Sequence, residues 1–191
     1  GVYNLATSER IAMIDLAATV GDVPEGPTHF ANDVAVADNG TAYITDTRMN
    51  VIYEVTLDYE ASVLHRFNDG GAGPNGIVHH PGGYLLIARG ETLWKVPTDD
   101  TSISSEVTLR EPVTGQDGMV WSARRLVIVS NDANRVVALT SQDDWISAEV
   151  EAVGTYEDQA TTAAVVGDEI YVVHPHFGDE DPPSVERVEL Q

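Results

Sequence analysis

Apolar residues in this chain come in short runs or alternate with polar ones, and helical periodicity is nearly absent. The runs are rich in Val, Ile, Tyr and Thr and are bounded by Gly, Pro, Asn and Asp, a pattern that predicts strands joined by tight turns. One unit recurs. Asn32-Asp33-Val34-Ala35-Val36 leads into Ala42-Tyr43-Ile44-Thr45, and Asn75-Gly76-Ile77-Val78 leads into Tyr84-Leu85-Leu86-Ile87-Ala88. Asp117-Gly118-Met119-Val120-Trp121 leads into Leu126-Val127-Ile128-Val129, so the lead residues Asn32, Asn75 and Asp117 lie 43 and 42 residues apart. A weaker copy begins at Thr161-Thr162-Ala163-Ala164-Val165 and runs into Glu169-Ile170-Tyr171-Val172-Val173. A period in the low forties with several short strands per repeat is the signature of propeller blades.

The order inside each repeat is constant. A polar turn follows the first strand, as in Asp38-Asn39-Gly40 or His80-Pro81-Gly82-Gly83, and suits a hairpin. A second apolar strand comes next, then a third such as Val51-Ile52-Tyr53-Glu54-Val55, and a more polar stretch such as 62–67 ends the unit. The expectation is an all-β chain: a β-propeller of four-stranded antiparallel blades in one domain, 1–191, with blades at 30–67, 74–109, 116–154 and 160–190. Residues 1–16 read as the outer strands of an incomplete blade. The segment from Arg10 to Leu16 is a candidate outer strand for the last blade, which would close a four-bladed ring. The competing expectation is part of a larger propeller, whose open arc exposes a blade face to another chain. The chain opens at Gly1 on a strand-like segment, which reads as a processed or truncated beginning.

Composition narrows the function. The chain of 191 residues is long enough for one domain with a real core. It carries 31 acidic against 10 basic residues, and Lys95 is its only lysine. Nucleic acid is excluded as a partner, because a phosphate backbone demands a basic face. Near-absence of Lys beside abundant Asp and Glu resembles proteins of halophiles, whose carboxylate surfaces stay hydrated while salt screens their repulsion. No apolar run approaches the length of a membrane span, and the compartment stays open. Cysteine is absent, which removes disulfides and thiolate chemistry.

All three lead residues sit where a Gly- and Pro-rich loop enters an inner strand, at the expected channel mouth. Two Asn amide oxygens and one Asp carboxylate are hard ligands, suited to Ca²⁺ or Mg²⁺. Three side chains are too few for Ca²⁺, so further oxygens must complete its shell. Asp117 is the lead residue able to accept a proton, which makes it the candidate base. Asn and Asp at such turns also cap backbone groups through local hydrogen bonds, and periodicity alone leaves metal mouth and structural turn both open. Among the histidines, His79 and His80 read as a surface turn and His65 as exposed. His29, His174 and His176 lie nearer plausible site positions.

On the motifs Phe30-Ala31-Asn32-Asp33-Val34-Ala35-Val36, Gly73-Pro74-Asn75-Gly76-Ile77, Gln116-Asp117-Gly118-Met119-Val120 and Thr161-Thr162-Ala163-Ala164-Val165, the chain resembles the senescence-marker-protein/gluconolactonase family of six-bladed propellers. It is more distantly similar to paraoxonases and strictosidine-synthase-like proteins. The resemblance implies a β-propeller and metal-dependent hydrolysis of a small lactone or related ester. The implied cofactor is a divalent ion, Ca²⁺ first, with Mg, Mn or Zn as alternatives. By position, Asn75 and Asp117 match the metal ligands, Asp117 also matches the general base, and Asn32 matches a substrate-contacting residue. The family's metal-binding Glu belongs to a first blade that has no counterpart here. Glu25-Gly26-Pro27 looks similar, but it precedes Asn32 instead of opening its own repeat, so the role does not transfer. The alternative is a non-catalytic binding or assembly module, self-associating through an unclosed blade edge.

Overall fold

The computed structural model describes residues 1–21, 29–178 and 181–191. Glu25-Gly26-Pro27 lies outside the described residues. The alternating segments form strands throughout. β1 (Val2–Tyr3) and β2 (Arg10–Ala12) make a two-stranded antiparallel sheet of their own. The first blade is β3 (Ala31–Val36), β4 (Ala42–Asp46), β5 (Val51–Val55) and β6 (Ala61–Arg66), hydrogen-bonded in that order. The second is β7 (Ile77–His80), β8 (Tyr84–Arg89), β9 (Thr92–Pro97) and β10 (Ser105–Leu109), and the third is β11 (Gln116–Ser122), β12 (Arg125–Ser130), β13 (Arg135–Thr140) and β14 (Ser147–Thr155). The fourth sheet is β15 (Thr162–Val166), β16 (Glu169–His174) and β17 (Ser184–Val188). The fold is a β-propeller of antiparallel blades.

Two further pairings tie the blades at their rims. The outer strands β10 and β14 pair in parallel, Thr108 opposite Ser147 and Leu109 opposite Ala148, which merges two blades into one eight-stranded sheet. Gln191 exchanges backbone hydrogen bonds with Val153 of β14, at 3.0 and 3.2 Å. β17 is the last strand of its sheet, and β2 pairs with β1 instead of extending it. Among the described residues, apolar side chains stay exposed on the outward faces at both ends of the array, Val34 and Val36 on β3 and Val166 and Val185 on the last blade. Leu16 and Val20 cover part of the first blade's outward face, packing on Met49, Val51 and Tyr53.

The core is a set of slabs between blades. Ile52, Leu85, Ile87 and Val96 fill the slab between the first and second blades. Leu86, Leu93, Leu126, Ile128 and Leu139 fill the next, and Val127, Val129, Val136, Ile170 and Val172 the one after. Successive residues of β8 and β12 feed opposite slabs, so both strands are buried on both faces and read as continuous apolar runs. Each fully buried Leu, Ile or Val contributes on the order of 1.5–3 kcal/mol. His65, expected at the surface, is half-buried edge-on to Phe67, with ring centroids 4.5 Å apart, and burial pushes its pKa down.

Two polar fixtures position the loops that lead to the channel mouth. Buried Asp46 accepts backbone N–H bonds from Phe30, Arg48 and Met49 at Oδ1, while Oδ2 meets Tyr53 and His29. His29 is thereby a structural partner of Asp46. Arg89, whose side chain is 2% exposed, grips Asp69 through two 2.8 Å bonds and donates to the Ala72 carbonyl. Its guanidinium stacks over Phe67, 3.9 Å from the ring centroid. That clamp holds the loop of residues 68–74, which delivers Asn75.

Asp46→Ala strips acceptors from three backbone donors, and a urea melt should show a loss of about 2–4 kcal/mol. The hydrogen bonds from Arg89, then that from Gly71, hold the Asp69 carboxyl well below its ordinary range. A depressed carboxylate pKa adds stability that is present above the unfolded value, about 3.9, and lost as pH falls through the folded one. Asp69→Asn should therefore lower the melting temperature at pH 7, and the gap from the parent should shrink in acid.

Candidate functional site

Asn32, Asn75 and Asp117 come together at one mouth, where the chain enters β3, β7 and β11. Local irregularities help to place Asn32 and Asp117. The pairing register shifts between Ala31 and Val34 in β3 and between Gln116 and Met119 in β11, so each strand bulges at its lead residue. Such bulges re-aim side chains beside functional sites. The glycines that follow have a steric cause. A Cβ on Gly76 would collide with the Asp117 carbonyl, and one on Gly118 would collide with Thr162 of the next blade. The Asn-Gly and Asp-Gly pairs therefore mark the closest approach of neighbouring inner strands.

The lead side chains form one hydrogen-bonded relay. Asn32 Nδ2 donates to Thr47 Oγ1 at 2.9 Å and to Asn75 Oδ1 at 2.8 Å. Asn75 in turn hydrogen-bonds Asp117, and Asn131 Nδ2 donates to Asp117 Oδ2 at 2.8 Å. Backbone is tied in as well: Thr45 Oγ1 donates to the Asn75 carbonyl at 2.7 Å, Thr47 Oγ1 to the Pro74 carbonyl at 2.7 Å, and Gly118 N to the Thr161 carbonyl at 2.8 Å. Asp33 accepts from Val34 N and, across blades, from Ile77 N at 3.1 Å.

Asn32, Asp33, Asn75 and Asp117 line a cavity of about 200 Å³, together with Gly118, Thr161 and Thr162. Burial is the main cause that raises the pKa of both Asp33 and Asp117. For Asp117 the bonds from Asn131 and Asn75 oppose it, and the charge of Asp33 adds to it. The lining holds two carboxylates and, among the described residues, no basic side chain. Uncompensated, half-buried negative charge with only oxygen donors fits a hard cation. Among the described residues the uncommitted oxygens are Asn32 Oδ1, Thr162 Oγ1 and the unshared part of the Asp117 carboxylate, and Asn75 Oδ1 joins them once Asn32 Nδ2 releases it. Among the described residues no three His, Cys, Asp or Glu side chains cluster as a ready-made metal cage, so amides and hydroxyls must supply most of any shell.

Asp33 and Asn131 belong to this constellation although the repeat pattern does not single them out. Asn131 sits immediately after β12, as Thr47 does after β4, so reading that second address across repeats would have found both. His174 and His176 lie elsewhere. Buried His174 meets Gln159 O and Glu186, and His176 meets the Pro182 carbonyl.

No protein-family model and no curated protein sequence matches the chain. Solved structures do. A luciferin-regenerating enzyme aligns with a TM-score of 0.63 at 17% identity, over 84% of this chain and 61% of that one. A gluconolactonase of Xanthomonas campestris aligns with a TM-score of 0.62 at 12% identity, over 77% and 57%. Virginiamycin B lyase of Staphylococcus aureus aligns with a TM-score of 0.59 at 15% identity, over 75% of this chain and 48% of that one. The chain thus spans between about half and three fifths of these proteins. At such identities the likeness is one of fold, and the fold it shares with them is the β-propeller.

Proposed function

We propose that the cavity at Asn32, Asn75 and Asp117 is the site of a metal-dependent hydrolase of the lactonase type, related to the senescence-marker-protein/gluconolactonase propellers. The carrying observation is the relay that joins all three lead residues beside a second, uncompensated carboxylate, Asp33. Fold neighbours that include a gluconolactonase and a luciferin-regenerating enzyme support the same reading. Asn75 and Asp117 would hold the divalent ion, Ca²⁺ first. When bound, that ion polarises the ester carbonyl of a substrate. Asp117 acts as general base: burial raises its proton affinity, and Asn131 fixes one of its oxygens. Asn32 has both amide hydrogens committed to Thr47 and Asn75, so its carbonyl oxygen is the group left to orient a substrate hydroxyl or the attacking water.

One observation favours a second reading. Asn75 Oδ1 is already taken by Asn32, and both Asp33 oxygens are taken by backbone N–H groups. A relay that satisfies itself suits a non-catalytic propeller that binds or assembles through the same scaffold.

The two readings part on metal binding. Raised carboxylate pKa values make the ionised pair a cost above the ordinary carboxylate range, and a cation relieves it. Ca²⁺ at a hundred times its dissociation constant should add about 2.7 kcal/mol, or roughly 5–10 °C in melting temperature. Asp117→Ala should abolish both this shift and lactone hydrolysis, the latter by about 10²–10⁴-fold. No calorimetric heat with Ca²⁺, Mg²⁺, Mn²⁺ or Zn²⁺ and no lactone turnover would leave the binding module. In the metal-free protein, carboxyl-carbon NMR should find Asp117 titrating above the ordinary range. Asn131→Ala should move it further up, and Asp33→Asn should move it down.

A further inference from the structure

A larger cavity, of about 630 Å³, lies at the opposite end of the same inner strands. It is bordered by Asp38 after β3, His79 and His80 at the end of β7, Trp121 near the end of β11 and Arg124 in the following turn. His80 lies five positions beyond Asn75, about 16 Å of extended chain, so this cavity is distinct from the mouth at Asn75. Its volume is that of a pocket for a small organic ligand.

One wall, made by His79, His80, Trp121 and Trp145, is backed by the buried rings of Tyr43 and Tyr84. Tyr43 stacks on His79 at 6.0 Å, and Tyr84 stacks on His80 at 4.4 Å. His80 meets Trp121 edge-on at 5.5 Å, and Trp121 meets Trp145 likewise at 5.5 Å. Trp121 is fixed in place by an indole N–H bond of 2.9 Å to the His79 carbonyl. The neighbouring loop is strained and pinned. Asp144 and Trp145 both have positive φ, 57° and 60°, which costs a bulky residue on the order of 1–3 kcal/mol. Lys95 donates to the Asp144 carbonyl and carboxylate at 2.6 and 2.7 Å, and Tyr84 donates to the same carboxylate at 2.9 Å. The chain's only lysine is thus spent on holding this rim.

The polar groups facing the wall are mixed in sign and uncommitted. Asp38 and Arg124 are exposed and make no hydrogen bond or ion pair among the described residues, though the charge of Asp38 acts on His79. Gly82 N donates to His80 Nδ1 at 3.0 Å, so neutral His80 carries its proton on Nε2 as a free donor. Burial lowers the pKa of both His79 and His80, which keeps them uncharged near neutrality. One acid, one base and neutral rings favour an uncharged ligand, and a chain of net charge −21 disfavours an anion further. The ligand must present an apolar face to the rings and both hydrogen-bond donors and acceptors at its edge.

We propose that this cavity is a binding site for a neutral mono- or disaccharide. The C–H face of a sugar ring packs on Trp121 and His80. Its hydroxyls donate to Asp38 and accept from Arg124 and His80 Nε2. The reading does not depend on the chemistry of the metal mouth.

The test is a titration of the full chain with methyl β-D-glucoside, maltose and cellobiose, read by Trp fluorescence and by saturation-transfer NMR, with benzoate as an aromatic anion. At least one saccharide should saturate with a dissociation constant of about 1 mM or tighter. Arg124→Ala and Asp38→Ala, exposed positions whose circular dichroism should match the parent, should each weaken it about tenfold. Asp117→Asn should leave it unchanged. The proposal is overturned if no saccharide saturates by about 50 mM, if benzoate alone binds, if both rim variants bind like the parent, or if Asp117→Asn abolishes binding.

Discussion

The close approach of neighbouring inner strands at one mouth is the constraint on which the rest depends. There, backbone of one blade meets backbone and side chains of the next, and only glycine fits at positions 76 and 118. With no Cβ in the way, Thr45 reaches the Asn75 carbonyl and Gly118 reaches the Thr161 carbonyl. The same proximity puts an amide or carboxylate from each of the first three blades within hydrogen-bond reach of its neighbour. A single steric fact thus both packs the blades and builds the site.

Burial and polarity are divided accordingly. The middle strands β8 and β12 carry the apolar slabs and leave no room for polar groups without partners. The ends of the inner strands, where the slabs stop, carry the chemistry. At one end, oxygen-bearing side chains gather around uncompensated negative charge in a small cavity. At the other, aromatic rings and a balanced acid and base border a larger one. The two ends of one set of strands therefore differ in chemical character, an acidic, oxygen-lined mouth at one end and an aromatic-walled cavity at the other.

Rigidity is supplied from outside both cavities. Asp46 ties the turn after β4 to the backbone at Phe30, just before Asn32, and the Arg89–Asp69 clamp fixes the loop before Asn75. Lys95 does the same for the loop at Trp145. In so acidic a chain the few cations are scarce, and Arg89 and Lys95 are both used to pin loops beside a cavity. Arg124, by contrast, stands unpartnered among the described residues at a cavity rim.

How much of this was legible in the sequence can be stated residue by residue. The strands and their grouping into repeats follow from local pattern, because a strand buried between two blades must be apolar at every position and its turns must carry Gly, Asn or Asp. Asn32, Asn75 and Asp117 share an address for the same reason: a repeat of fixed length returns each lead residue to the same radial position. Asn131 shares a repeat address with Thr47 and was legible only by comparing that second address, while Asp33 was not legible, since its role arises from a contact to the next blade. Nor was the fate of residues 10–16, which pattern alone offers to the last blade and which the tertiary structure places in part beside β1. His79 and His80 read as a surface turn because sequence shows only their own hairpin. Trp121, 42 and 41 residues further on, turns that hairpin into a cavity wall, with Tyr43, far upstream, packed behind His79. Sequence by itself determined what repeats, because periodicity is local and additive. Only the tertiary structure decided what meets, because that depends on distances between blades that no single repeat encodes.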